Sequence, residues 1–180
     1  DVLAIAEMAN HVLHTCRESA ANKNRGVRIT VSTAWFVPKP FTPFQWEPQD
    51  TQEMVREKQS HLREKLRIKG VTFNYHESDL SYLEACFARG DRRMGQVLLR
   101  AYQKGCMLDG WTELFKYDMW REAFAELGID PAFYAYRRRE KDEIMPWDVI
   151  DCGVTKEFLW REKEKAEKAQ TTKDLSLIHI

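Results

Sequence analysis

The densest group of side chains able to do chemistry is Arg89-Gly90-Asp91-Arg92-Arg93. Guanidinium groups are planar forks that hold a carboxylate or phosphate by two parallel hydrogen bonds, and the central glycine permits a sharp helix-to-helix turn. Asp91 is placed to cap the helix that follows. Two readings fit. Arg89, Asp91, Arg92 and Arg93 form an anion clamp for a substrate, or the arginines bind Glu84 and Asp109 and hold helices together. A second turn, Asp109-Gly110-Trp111, sets a carboxylate beside a large ring and is expected on an inner face. Trp120 and Trp147 add apolar bulk, and the chain's six tryptophans would line a pocket or seal contacts between domains.

Other reactive residues are scattered. Cys16, Cys86, Cys106 and Cys152 show no close spacing of the kind a zinc ribbon or redox pair needs, and are expected to be reduced and mostly buried. His76 closes a short strand with no partner nearby in the sequence, which favours a surface or capping role over metal binding or proton transfer. The run from Tyr136 to Glu143 follows its arginines at once with acids, which halves the field offered to RNA phosphate and predicts a solvated turn. The run Arg161 to Lys168 predicts ion pairs four residues apart on an exposed helix face.

The elements that must position these groups alternate at first and then become helical. Residues 1–21 carry the helical spacing Val2, Ile5, Ala9, Val12, Leu13, Cys16, and a polar turn runs from Asn22 to Gly26. Val27, Ile29 and Val31 then alternate with Arg28, Thr30 and Ser32, predicting a strand over 27–37. Asp50 and Glu53 suggest a capping box for a helix reaching about Lys69, and Val71 to Tyr75 reads as a second strand. From Ser78 the pattern is helical, broken at Arg89-Gly90-Asp91, Gly105 and Gly128. Asp118 and Thr155 are expected as helix caps, and Asp130-Pro131 is expected to start a short turn with Phe133, Tyr134 and Tyr136.

Between the first strand and the second helix lies the stiffest stretch of the chain. Pro38, Pro40, Pro43 and Pro48 are spread among Phe36, Phe41, Phe44 and Trp46, with Lys39 between two rigid neighbours. Aromatic rings on a backbone with little freedom to lose suit a cavity wall, or plug the end of a core.

This run, VSTAWFVPKPFTPFQWEPQ, resembles the last strand and exit loop of the radical S-adenosylmethionine (SAM) barrel. The similar branch is that of the cobalamin-binding-type proteins. The likeness continues through LEACFARGDRRMGQVLLRAYQKGCMLDGW and MPWDVIDCGVTKEFLWREKEKA. It implies an α/β chain: the last helix and strand of a partial (β/α) barrel over 1–48, then a mainly helical post-barrel segment over 49–170. Residues 171–180 would be a cut tail, with LSLIHI resembling a translated library adaptor. The first residue likewise enters directly into a helical pattern without a starting methionine.

The resemblance also implies a chemistry. The parent would cleave SAM reductively at a 4Fe-4S cluster and abstract hydrogen from an unknown substrate, with cobalamin possible on an upstream domain. The cluster is held in that family by a CxxxCxxC loop, which this chain lacks. Phe36, Val37 and Pro38 carry over as the contact near the SAM adenine, and the arginine turn would face the substrate cavity. The partners implied are the upstream barrel and the possible cobalamin domain of the same parent. A non-catalytic helical interaction module is the competing reading.

Composition sets the bounds. The chain has 180 residues, too few for a full barrel enzyme with extra domains, and 28 basic residues balance 28 acidic ones. Balanced charge gives no whole-chain case for nucleic acid or membrane binding, and no run approaches the roughly 20 apolar residues of a spanning helix. A cytoplasmic protein is expected.

Overall fold

A computed structural model describes residues 2–19 and 26–172. The expected helix end at Ala21, most of the turn after it and the LSLIHI tail lie outside the described residues. The fold is mixed and mostly helical, with one small parallel sheet. It divides into two compact units, one built from residues up to Phe36 together with Asp50–Ser81, the other from Val37–Gln49 together with residues from Tyr82 onward.

The first unit holds α1 (Val2–Ser19), β1 (Ile29–Thr33), α2 (Gln52–Lys65) and β2 (Val71–Tyr75). The strands pair in parallel, Ile29 against Val71 through Thr33 against Tyr75. Their period-two pattern sorts the side chains onto two faces. Ile29, Val31, Val71 and Phe73 are half-buried, and Thr30, Ser32, Thr72 and Asn74 are exposed. α1 lays Ala6 and Ala9 against Leu62 and Leu66 at the end of α2, over Val31, Val71 and Phe73. The two alanines let the helices approach closely, and each buried leucine contributes about 1.5–3 kcal/mol. α1 leaves Leu3, Ile5, Met8 and Val12 exposed on its other side.

The first strand is shorter than its pattern predicts. It ends at Thr33 together with its partner, whose last paired residue is Tyr75. The cap of α2 is also one residue later than expected. Thr51 accepts the N–H of Met54 at 3.3 Å, while Asp50 pairs with Lys58. Gly70 turns into β2 with φ of +96°, where a Cβ would lie 2.7 Å from the Val27 carbonyl oxygen.

α3 (Ser78–Ala88) starts in the first unit and ends in the second. The second unit adds α4 (Met94–Gln103), α5 (Tyr117–Glu126), α6 (Pro131–Ala135) and α7 (Lys156–Glu167). One core joins Leu83, Cys86, Val97, Ala101, Trp120, Phe124 and Tyr134. A second is built on Trp46, Met145, Trp147 and Leu159. Thr155 caps α7 as its sequence predicts, accepting from Phe158 N at 3.2 Å, and the short turn expected from Asp130-Pro131 is helix α6, which Asp130 caps by accepting from Ala132 N at 2.9 Å. Asp118 instead falls inside the first turn of α5, whose cap position is Lys116. No described helix is long and apolar enough to cross a membrane.

Candidate functional site

The arginine turn is built by a close approach. A Cβ on Gly90 would lie 2.3 Å from Met94 Cγ and 2.8 Å from the Cys86 carbonyl oxygen, so only glycine lets the chain leave α3 there. That departure turns Arg89 inward. Its side chain is 0 % exposed, and its two terminal nitrogens donate to the Ala135 and Arg137 carbonyls at 3.0 and 2.7 Å. Its own carbonyl accepts Arg139 Nη2 at 2.6 Å. Burial, with the nearby Arg139 and Arg137 charges, holds the Arg89 guanidinium down to about 10, still charged at neutral pH.

Arg139 is 4 % exposed and lies over the Trp147 ring at 5.1 Å. Its Nη1 reaches Met145 Sδ at 3.2 Å. Arg137 takes the acid of this neighbourhood, gripping Glu143 through two bonds of 2.8 and 2.6 Å. The expected solvated turn over 136–143 is therefore partly core. Among the described residues no carboxylate lies within ion-pair distance of Arg89 or Arg139; their terminal nitrogens are met mainly by backbone oxygens, while the Nε of each lacks a hydrogen-bond partner.

Asp91 is committed on the outside of the same turn. It accepts Arg93 Nε and Nη2 at 3.1 and 2.7 Å, the Arg93 backbone N–H at 2.9 Å and Tyr134 Oη–H at 3.1 Å. The Arg93 bonds come first in holding its carboxyl down to about 2. Asp91 thus makes an Asx turn before α4 rather than a cap, since the cap position of α4 is Arg93. Arg92 is exposed. Glu84, which the sequence offers to the arginines, pairs with Lys39.

Asp109 and Trp111 stand apart from this group. Asp109 is half-buried, with Oδ1 lacking a hydrogen-bond partner, and Trp111 is 62 % exposed. No hydrogen bond, ion pair or ring contact among the described residues joins either side chain to the arginine turn. The three rim residues also divide. Phe36 closes the first unit's segment with an exposed ring, whereas Val37 packs against the helical core and Pro38 is fully buried in the second unit. Of this rim, Trp46 plugs a core, and Phe41 lines a cleft.

That cleft holds the residues that sequence patterns missed. Gln45, Asp148 and Lys156 line it with Phe41, Trp147 and Leu159. Gln45 and Trp147 are 102 positions apart and joined by one hydrogen bond, so no local spacing announces them. Trp147 was expected only as apolar bulk, and nothing local ties it to Gln45. Lys163 was missed similarly. It is buried beneath the supposed exposed face of α7, where its ammonium lies 3.1 Å from Glu47 Oε1 and 2.5 Å from Glu167 Oε1.

Among the described residues no three His, Cys, Asp or Glu side chains converge as metal ligands would. Cys86 and Cys106 are buried, and burial pushes the Cys86 thiol up to about 12 and the Cys106 thiol in the same direction. Cys16 and Cys152 are exposed. The backbone of His76 ties the strand ends together: its N–H donates to Thr33 O at 3.3 Å and its carbonyl accepts Trp35 Nε1 at 2.8 Å. Comparisons with protein-family models, with curated proteins and with solved structures return no match to this chain.

Proposed function

We propose that this chain supplies the closing helix and strand of a radical SAM barrel, followed by a helical cover, in an enzyme acting on an unknown substrate. One observation carries the reading beside the sequence resemblance. The parallel pair β1–β2 is covered by α1 and α2 on its apolar face and bears Thr30, Ser32, Thr72 and Asn74 exposed on the other. Parallel sheets normally have both faces covered, and two strands alone are marginal. A polar second face is compatible with a lumen that holds a ligand, and the rim follows β1 in the sequence.

In such an enzyme, SAM at an iron-sulfur cluster supplies the carbon radical. The described residues do not fit the cluster, for the thiols are scattered and two are buried and protonated, so its ligands belong to another part of the parent. SAM fits this chain only narrowly. Phe36 is exposed, while Val37 and Pro38 have their side chains buried in or against the helical core. The residues here would wall the cavity and exclude water. Arg92 is the arginine of the turn most open to a substrate anion, and cobalamin would sit upstream.

The reading is tested by sequencing the intact locus through both ends. It expects an in-frame CxxxCxxC segment upstream, and the full protein, prepared without oxygen, should form 5′-deoxyadenosine from SAM under reduction. A start codon just before Asp1 with no cysteine motif would remove the catalytic reading. The interaction-module reading would then gain, supported by Leu98, Leu99 and Tyr102 of α4 and by Met107, Leu108 and Trp111, all of them exposed.

A further inference from the structure

The cleft beside Gln45 lies wholly within the helical unit and does not depend on the radical SAM reading. Its volume is about 280 Å³. Gln45 is 2 % exposed, and its Oε1 accepts the Phe41 backbone N–H at 3.1 Å and Trp147 Nε1–H at 2.8 Å. Both partners are donors only, which fixes that end of the carboxamide as oxygen. The other end is therefore an NH2 with two donors, and among the described residues it meets no acceptor. A donor that lines a cleft without a protein partner is open to a ligand's acceptor.

The surroundings favour a ligand. Phe41 holds a left-handed backbone, φ 58°, a conformation that costs a bulky residue free energy and here turns it to the cleft wall. Trp147 and Leu159 belong to the core beneath, and Ile150 and Val154 complete the apolar lining. Lys156 Nζ donates to the Glu143 carbonyl at 2.6 Å and to Asp148 Oδ2 at 2.9 Å, which leaves its third N–H. Asp148 Oδ2 also accepts Met145 N at 2.8 Å. The two N–H groups of Gln45 and the third of Lys156 outnumber the one lining carboxylate oxygen left over, Asp148 Oδ1, so the complement is an acceptor oxygen rather than a cation. An apolar lining with a few placed polar groups is the usual composition of a small-molecule site. A cavity of about 150 Å³ takes benzene, so this one takes a ring with a substituent.

We propose that this cleft binds a small molecule consisting of one flat ring bearing a carbonyl or carboxylate oxygen, with that oxygen on Gln45 Nε2 and the ring against Phe41, Trp147 and Leu159. The test is amide and indole NMR on the full chain, titrated with benzamide, benzoate and benzylamine. Benzamide and benzoate should shift the Trp147 indole N–H and the Gln45 NH2 signals, with benzylamine weaker. Gln45→Glu keeps an oxygen for Phe41 and Trp147 but removes the donor, and should weaken benzamide about tenfold. Val154→Trp fills the cleft without touching the hydrogen bonds and should abolish the shifts. The proposal fails if neither acceptor probe moves Trp147 at millimolar concentration, if benzylamine binds as well as benzamide, or if Gln45→Glu binds benzamide as the wild type does.

Discussion

Replacing Arg89 by methionine separates a structural guanidinium from a ligand-binding one. The substitution removes two charge-assisted hydrogen bonds to the Ala135 and Arg137 carbonyls, at 3.0 and 2.7 Å, in a side chain with no exposed surface. Each is worth about 1.5–3 kcal/mol, and two buried acceptors are left without donors. Against this, methionine fills much of the volume, and the desolvation cost of a cation without a carboxylate partner disappears, an offset of several kcal/mol in buried pairs. The net loss expected is about 2–4 kcal/mol. Urea unfolding followed by tryptophan fluorescence reads the right unit, because Trp46, Trp111, Trp120, Trp147 and Trp160 all lie in it and only Trp35 lies in the other. With a slope of about 1–3 kcal/mol per molar, the midpoint should drop by roughly 1–2 M at unchanged slope. Arg93→Met, on the exposed side of the turn, should move the midpoint far less. An Arg89→Met midpoint within about 0.3 M of wild type would refute the argument and return Arg89 to the candidates for anion binding.

Three further outcomes follow from the same geometry. Gly90→Ala should destabilise by about 1–3 kcal/mol, since its Cβ meets a backbone oxygen as well as Met94; calorimetry reads the lowered Tm. At pH 8 iodoacetamide should label Cys16 and Cys152 rapidly, and Cys86 and Cys106 only after denaturation, as mass spectrometry of the peptides would show. Asp91 has its folded-state pKa depressed from 3.8 to about 2, so its contribution is present above 3.8 and lost as pH falls toward 2. The stability gap between wild type and Asp91→Asn should be flat from neutral pH down to about 5 and close below that. A gap that widens on acidification would contradict the Arg93 pairing.

Local chemistry explains which parts of the fold were legible. A cap such as Thr155 acts within three residues and needs no tertiary knowledge, and the alternation in VTFNY fixes β2 by period alone. The arginine turn was visible as a turn, but the partners of its side chains were not. Glu84 looked available in sequence and lies with Lys39, while the oxygens that hold Arg89 are backbone carbonyls about 46 and 48 positions away, which residue types cannot reveal. The run after Tyr136 failed for a related reason. Charged residues are read as solvent-facing, yet Arg139 is buried by a tryptophan ring and a methionine sulfur. The Gln45 cleft joins residues about a hundred positions apart, beyond any local period.

The rim segment also sets a timetable for synthesis. Four of its partners come late: Ala135 for Gln49, Arg139 for Trp46, Arg138 for Glu47 and Trp147 for Gln45. All are translated roughly 90–100 residues after it, whereas both strands of the sheet are complete by Tyr75. At about 5–20 residues per second the ribosome leaves Phe41, Phe44 and Trp46 without those partners for roughly 5–20 s. The prolines that stiffen this stretch also deny it the unbroken N–H row that would recruit another chain's strand, so the same residues that shape the rim guard it while it waits.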